Sequence, residues 1–120
     1  MEKKTRVLIV DDMPQVIYDL RTLLPLAGNI QIAGEAHDGR EALQLMETLP
    51  VDVVLMDLEM PGMDGWEAAR RIKASWPSCR VIALTVHSAE EARQIADMQY
   101  FDDFIVKGVP AGELIQIIEK

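Results

Sequence analysis

A chain of 120 residues with an apolar fraction of 49% can build one domain around one core, and is too short for two. Its formal net charge of −8, with basic residues gathered in no single stretch, sets it against nucleic-acid phosphates, so no direct nucleic-acid binding by this domain is expected. No apolar run approaches a membrane span, the opening MEKKTR has no apolar signal core behind its charges, and the single cysteine, Cys79, can form no internal disulfide, which together predict a cytoplasmic protein with no membrane partner.

The first predicted element is a strand, RVLIV (6–10), which ends in two adjacent acids, Asp11 and Asp12. Pro14 suits the first turn of a helix, whose face is formed by Val16, Leu20, Leu23 and Leu24. A second strand, IQIAGEA (30–36), leads to Asp38 and Glu41, spaced as a capping box, and to a helix with Ala42, Met46 and Leu49 on one side. Pro50 ends that helix, and the strand VDVVLM (51–56) follows and runs into Asp57. Trp66, Ala69, Ile72 and Trp76 share the next helical face, closed by Pro77. A fourth strand, RVIAL (80–84), precedes Thr85. Ser88 and Glu91 then form a capping box for a helix carrying Ala92, Ile95 and Ala96. The fifth strand, DFIV (103–106), ends at Lys107, and Pro110 opens a last helix with Leu114, Ile117 and Ile118.

Five strand–helix units in succession predict an α/β fold with a parallel sheet covered by helices on both faces. The first, third and fourth strands are continuously apolar, as central strands should be. The second alternates and the fifth is short, as edges tend to be. Right-handed crossovers then favour the order 2-1-3-4-5, a flavodoxin-like (βα)5 doubly wound sheet. Such sheets bind ligands beyond the carboxyl ends of their strands, where the strand order reverses. Asp11, Asp12, Asp57, Thr85 and Lys107 all fall on that edge although they span most of the chain.

Two carboxylates roughly 5 Å apart repel by about 3 kcal/mol at an effective dielectric of about 20, and three need more counter-charge than one lysine supplies. An all-oxygen cluster suits a hard divalent ion. Magnesium fits best, because it accepts one or two carboxylates and keeps open positions for water and phosphate. A metal beside a carboxylate, a lysine and a hydroxyl is equipment for phosphoryl transfer, in which Lys107 would neutralise charge and one carboxylate could form an acyl phosphate. Asp57, between the acid pair and the Thr85–Lys107 side, is the best candidate for the nucleophile.

The segments VDD (10–12), DLEMPGMDG (57–65), LT (84–85) and FIVK (104–107), in this order and spacing, resemble the receiver domain of two-component response regulators over the whole chain, 1–120. The resemblance implies that Asp57 accepts a phosphoryl group from a phosphohistidine of a sensor histidine kinase. It implies that Asp12, Asp57 and the backbone carbonyl of Glu59 ligate Mg2+, with Asp11 acting mainly through a bound water. Lys107 would pair with phosphoryl oxygens, Thr85 would move to hydrogen-bond them, and Phe104 would turn inward as a coupled aromatic switch. The face made by the fourth helix, fifth strand and fifth helix would carry the change to an output domain or partner protein, or to a second copy in a homodimer formed on phosphorylation. Glu59 and His87 occupy variable positions that tune dephosphorylation in relatives. The chain departs from the family in three places. Val86 stands where a smaller residue is usual, Gly108 follows Lys107 in place of proline, so no cis peptide is expected there, and MQYFDD replaces a glycine-bearing turn before the fifth strand.

Each residue also has a plainer reading. Asp11 alone would be a helix cap and Asp57 alone a turn acid, but their joint placement with Lys107 favours a site. Phe104 could be a simple core aromatic, His87 an exposed loop residue, and the Glu59 side chain mere solvated surface. Cys79 reads as inert and His37 as surface. At the level of the molecule, the expectation is a switch whose only chemistry is Mg2+-dependent self-phosphorylation from a phosphodonor and autodephosphorylation, joined to a transcription-regulating output domain beyond this chain. The alternatives are a stand-alone receiver acting on a partner protein and a haloacid-dehalogenase-like phosphatase, the latter prompted by Asp57 and Glu59 as an acid pair two apart. Against it, the first strand carries adjacent acids and there is no length for a cap domain.

Overall fold

The structure is a computed structural model of the chain and describes residues 3–60, 65–86, 88, 90 and 99–120. Its elements run β1 (Thr5–Val10), α1 (Pro14–Ala27), β2 (Ile30–Ala36), α2 (Gly39–Thr48), β3 (Val53–Asp57), α3 (Gly65–Ser75), β4 (Arg80–Thr85), β5 (Asp103–Val106) and a C-terminal helix α4 (Ala111–Ile118). The strands form one parallel sheet in the order β2-β1-β3-β4-β5, as the sequence predicts. The helix predicted after Ser88, with Glu91, Ala92, Ile95 and Ala96, lies almost wholly outside the described residues.

Continuous apolar strands make sense here because each residue faces one of two cores. Val7, Ile9, Val53, Leu55, Ile82, Leu84 and Ile105 point to the side covered by Ile17, Leu20 and Leu24 of α1 and by Leu114 and Ile118 of α4. Their neighbours Leu8, Val10, Val54, Met56, Val81, Ala83 and Phe104 point to the side covered by Ala42 and Met46 of α2 and by Ala68, Ala69 and Ile72 of α3. Period-two alternation along each strand thus fills both layers. Edge strand β2 pairs with β1 through a register shift: Val7 faces Ile32 and Leu8 faces Gly34, so Ala33 is an extra residue, a bulge of the kind that twists an open edge.

Several local expectations need correction. The buried stripe of α1 is Ile17, Leu20 and Leu24, while Leu23 is 38% exposed and Val16 only half-buried. The stripe that points at the sheet keeps Leu20 and Leu24 but is turned toward Ile17 and away from Val16 and Leu23. Pro25 stands in the last turn of α1, where its missing N–H removes the bond to the Arg21 carbonyl. β3 begins at Val53, not Val51, because Asp52 is engaged by Arg6. Its carboxylate accepts from the Arg6 backbone at 2.8 Å and from the guanidinium at 3.0 Å by two bonds. Pro110 is the residue before α4 and not its first turn.

The cap at α2 is as predicted: Asp38 Oδ1 accepts from the Glu41 N–H at 2.8 Å. The described part of MQYFDD, residues 99–103, is anchored in place of a glycine turn. Phe101 is buried, and Asp102 accepts from the Val81 N–H at 2.8 Å and pairs with Lys73 of α3. At the same amino edge of the sheet, the Arg80 guanidinium donates to the Ile117 and Ile118 carbonyls at 2.9 and 2.8 Å, satisfying the end of α4. Structural polar groups thus hold that edge, and the carboxyl edge is left for chemistry.

Candidate functional site

β1 and β3 are neighbours and end level with each other, Val10 beside Met56, so Asp11 and Asp57 emerge side by side at the reversal of strand order. Asp11 is fully buried and Asp57 2% exposed, whereas Asp12 faces solvent. The three carboxylates each offer an oxygen within 4.8 Å of the others. Backbone donors orient two of them: Met13 N–H donates to Asp11 Oδ1 at 2.9 Å and Glu59 N–H to Asp57 Oδ1 at 3.0 Å. Asp11 forms a local turn before α1 but does not cap it, contrary to the plainer reading, because the N-cap is Met13 and no side chain caps that end; its second oxygen points into the cluster.

Lys107 reaches the cluster from the far side of β4. Its Nζ lies 2.9 Å from Asp11 Oδ2 and 3.4 Å from Asp57 Oδ1, with 17% of the side chain exposed. It is placed there by two main-chain bonds, from the Lys107 N–H to the Thr85 carbonyl at 2.7 Å and from the Leu58 N–H to the Leu84 carbonyl at 3.1 Å, which tie the ends of β3, β4 and β5 together. Thr85, 1% exposed, completes the edge.

Burial of Asp57 disfavours its charge and, although the Glu59 N–H opposes this, the carboxyl is pushed up to about 6, with Asp11 adding repulsion and Lys107 attraction. The Lys107 ammonium is held above its ordinary value. Burial works against the charge, but the contact with Asp11 and the field of Asp57 outweigh it. One cation thus serves two buried carboxylates and leaves a third nearby.

Asp11 Oδ2 tests whether a metal fits. This oxygen is buried, and its partner is the Lys107 ammonium, in an ion pair at 2.9 Å. Two buried carboxylates that share one ammonium, beside a third acid and with oxygen donors alone, fit a hard divalent cation such as Mg2+.

Of the other residues singled out in the sequence, Phe104 is buried at 6% exposure with its ring 6.1 Å from that of Phe101. Glu59 follows β3 and is exposed. Val86 is 61% exposed, so its side chain is turned largely to solvent. His87 lies outside the described residues. Cys79 is buried and its thiol is pushed up to about 11 by desolvation, which disfavours the reactive thiolate. His37 is on the surface against Glu41.

Sequence reasoning missed Gly65. A β-carbon on this first residue of α3 would overlap the backbone carbonyl oxygen of Asp57. α3 and β3 touch backbone to backbone, so Gly65 seats α3 against Asp57. The only signal in the sequence is a glycine where a helix starts, and that does not say what lies opposite.

Comparison with known proteins agrees with this geometry. Residues 7–119 match the family described as response regulator receiver domain. The response regulator UvrY of Escherichia coli K12 is 36% identical over 112 residues, which is 93% of this chain and 51% of UvrY. The chain spans about half the length of the curated relatives it matches. Among solved structures, the response regulator TrrA of Thermotoga maritima in complex with Mg2+ and BeF superposes with a TM-score of 0.85 at 31% identity, covering 96% of both chains. A two-component response regulator of the LuxR family from Aurantimonas gives a TM-score of 0.84 at 32% identity, covering 98% of this chain and 84% of that one. With its strand order and edge of acids and lysine, the chain belongs to the response regulator receiver domain family.

Proposed function

We propose that this domain is a phosphorylation-controlled switch that accepts a phosphoryl group on Asp57 from a phosphohistidine of a sensor histidine kinase, in the presence of Mg2+. The observation that carries the reading is Asp57 itself: a nearly fully buried carboxylate with a lysine ammonium at 3.4 Å and two further acids within reach. A carboxyl at about 6 is mostly ionised at neutral pH, so Asp57 is a competent nucleophile there. Its oxygen would attack phosphorus in line. The phosphorus–nitrogen bond breaks, its electron pair returns to the imidazole, which takes up a proton, and an acyl phosphate remains on Asp57.

Asp11, Asp12 and Asp57, with the Glu59 carbonyl, are the groups that would hold Mg2+, Asp11 through a water. When bound, the ion supplies neutralising charge to the phosphoryl oxygens. Lys107, already aimed at the acceptor, would shift its ammonium onto a phosphoryl oxygen, and Thr85 would donate its hydroxyl to another. These contacts exist only in the phosphorylated state, so they can shift a conformational equilibrium. Phe104 would follow Thr85, and the face built from the helix predicted after Ser88, β5 and α4 would pass the change to an output domain, a partner protein or a second copy. Hydrolysis of the acyl phosphate, tuned by Glu59 and His87, would reset it.

The relatives named as response regulators, and a LuxR-family neighbour, support a transcription-regulating output joined to this domain. A phosphatase of the haloacid-dehalogenase type is not favoured, because the family match extends over residues 7–119.

Treating the protein with acetyl phosphate and measuring its intact mass tests the reading. One phosphoryl group should be added, only with Mg2+ present, and none to Asp57→Asn. Labelling that persists in that variant would move the acceptor elsewhere, and steady turnover of the donor without labelling would favour an enzyme.

A further inference from the structure

Gly108, immediately after Lys107, has φ +96° and is the one residue with positive φ among those described. Residues with a β-carbon rarely adopt that conformation. A β-carbon at this position would touch nothing within 4 Å, so the demand for glycine comes from the backbone turn itself and from no neighbour. No cis peptide occurs among the described residues, and the chain turns out of β5 by this left-handed step instead.

The turn is held on both sides, but less tightly after Gly108 than before it, although Val109 packs on the core. Before it, Lys107 N–H is held by the Thr85 carbonyl at 2.7 Å; after it, the Val109 N–H reaches the Val106 carbonyl at a longer 3.3 Å. Beside it runs an open groove of about 200 Å3 whose lining includes Val16, Leu20 and Leu23 of α1 and Leu114 of α4. Strain placed at residue 108 therefore has space to relax by movement of the turn, and Lys107 is the next residue along.

We infer that Gly108 is a positioning residue for Lys107: its left-handed backbone sets the direction from which the ammonium enters between Asp11 and Asp57. This rests on the proposed phosphoryl chemistry insofar as Lys107 serves it. It also has a consequence for the metal. An ammonium 2.9 and 3.4 Å from two of the acids competes with a cation for them. Withdrawing it removes a ligand for the phosphoryl group and a rival of Mg2+ at once.

The test compares the wild type with Gly108→Ala, Gly108→Val and Gly108→Asn, the last because Asn enters positive φ more readily than other side chains. Calorimetry gives the affinity for Mg2+ alone, then for beryllofluoride at saturating Mg2+, and hydrogen exchange follows the Lys107 amide without metal. We expect beryllofluoride to bind about tenfold more weakly to the Ala and Val variants, the loss of one charge-assisted contact. Mg2+ should bind them as tightly as the wild type or more tightly, the Lys107 amide should exchange faster, and Asn should restore most of each property. Equal loss of both affinities, or loss of neither, overturns the inference. A wild type that binds neither ligand would instead sink the proposed function, and the amide exchange then decides the placement of Lys107: unchanged protection in Ala and Val overturns it.

Discussion

Asp57 is poised by opposing forces that can be separated by pH. Moving its carboxyl from an ordinary 3.8 to about 6 costs the charged form about 3 kcal/mol in the folded, metal-free protein. Because the folded value lies above the unfolded one, this cost is fully present above about pH 6. It fades as pH falls towards about 4, where the acid is protonated in both states. Asp57→Asn removes the charge and keeps the shape. In urea denaturation with a chelator present, the variant should therefore be more stable than the wild type by about 2 to 3 kcal/mol at neutral pH, with the gap closing between about pH 6 and pH 4. A gap that widened on acidification would mean that Lys107, not burial, governs this group.

Pairs of elements meet at the site in ways that side-chain chemistry alone does not describe. α3 begins where β3 ends, and the two touch through backbone, so Gly65 has no room for a side chain. Gly65→Ala must push α3 or the Asp57 peptide aside. We expect a loss of about 3 kcal/mol in stability, read as a lower urea midpoint. The variant should also label more slowly with acetyl phosphate even under conditions where it is fully folded. An unaffected midpoint would show that α3 can shift without cost. The Arg80 guanidinium stands at the far edge, where it holds the last carbonyls of α4.

Across the whole molecule, the site exists only when the sheet is complete. Its groups come from the ends of β1, β3, β4 and β5, and Asp11 and Lys107 are in contact although one lies near the start of the chain and the other near its end. A cation that binds this assembly and not the unfolded chain must stabilise the fold by mass action. At about 100 times its dissociation constant, Mg2+ should raise the unfolding free energy by about 2.7 kcal/mol, a gain lost on chelation. The gain should shrink in Asp12→Asn, whose exposed acid contributes little else. A metal effect equal in both proteins would place the ion elsewhere.

The sequence alone determined the layer architecture and the strand order, because continuous apolar runs and helical spacing record which faces each element buries. It also brought Asp11, Asp12, Asp57, Thr85 and Lys107 to one edge, since strand ends follow from strand order. It did not reveal that α1 buries Ile17 and exposes Leu23, because rotation about a helix axis is set by what the helix packs on. Nor did it show that Gly65 is pressed on the Asp57 carbonyl, or that Gly108 turns left-handed after Lys107. Those are facts of backbone approach and torsion, and a letter code records side chains. Only the tertiary structure decided how deeply Asp57 is buried, and therefore how its charge is balanced, because desolvation depends on every neighbour at once.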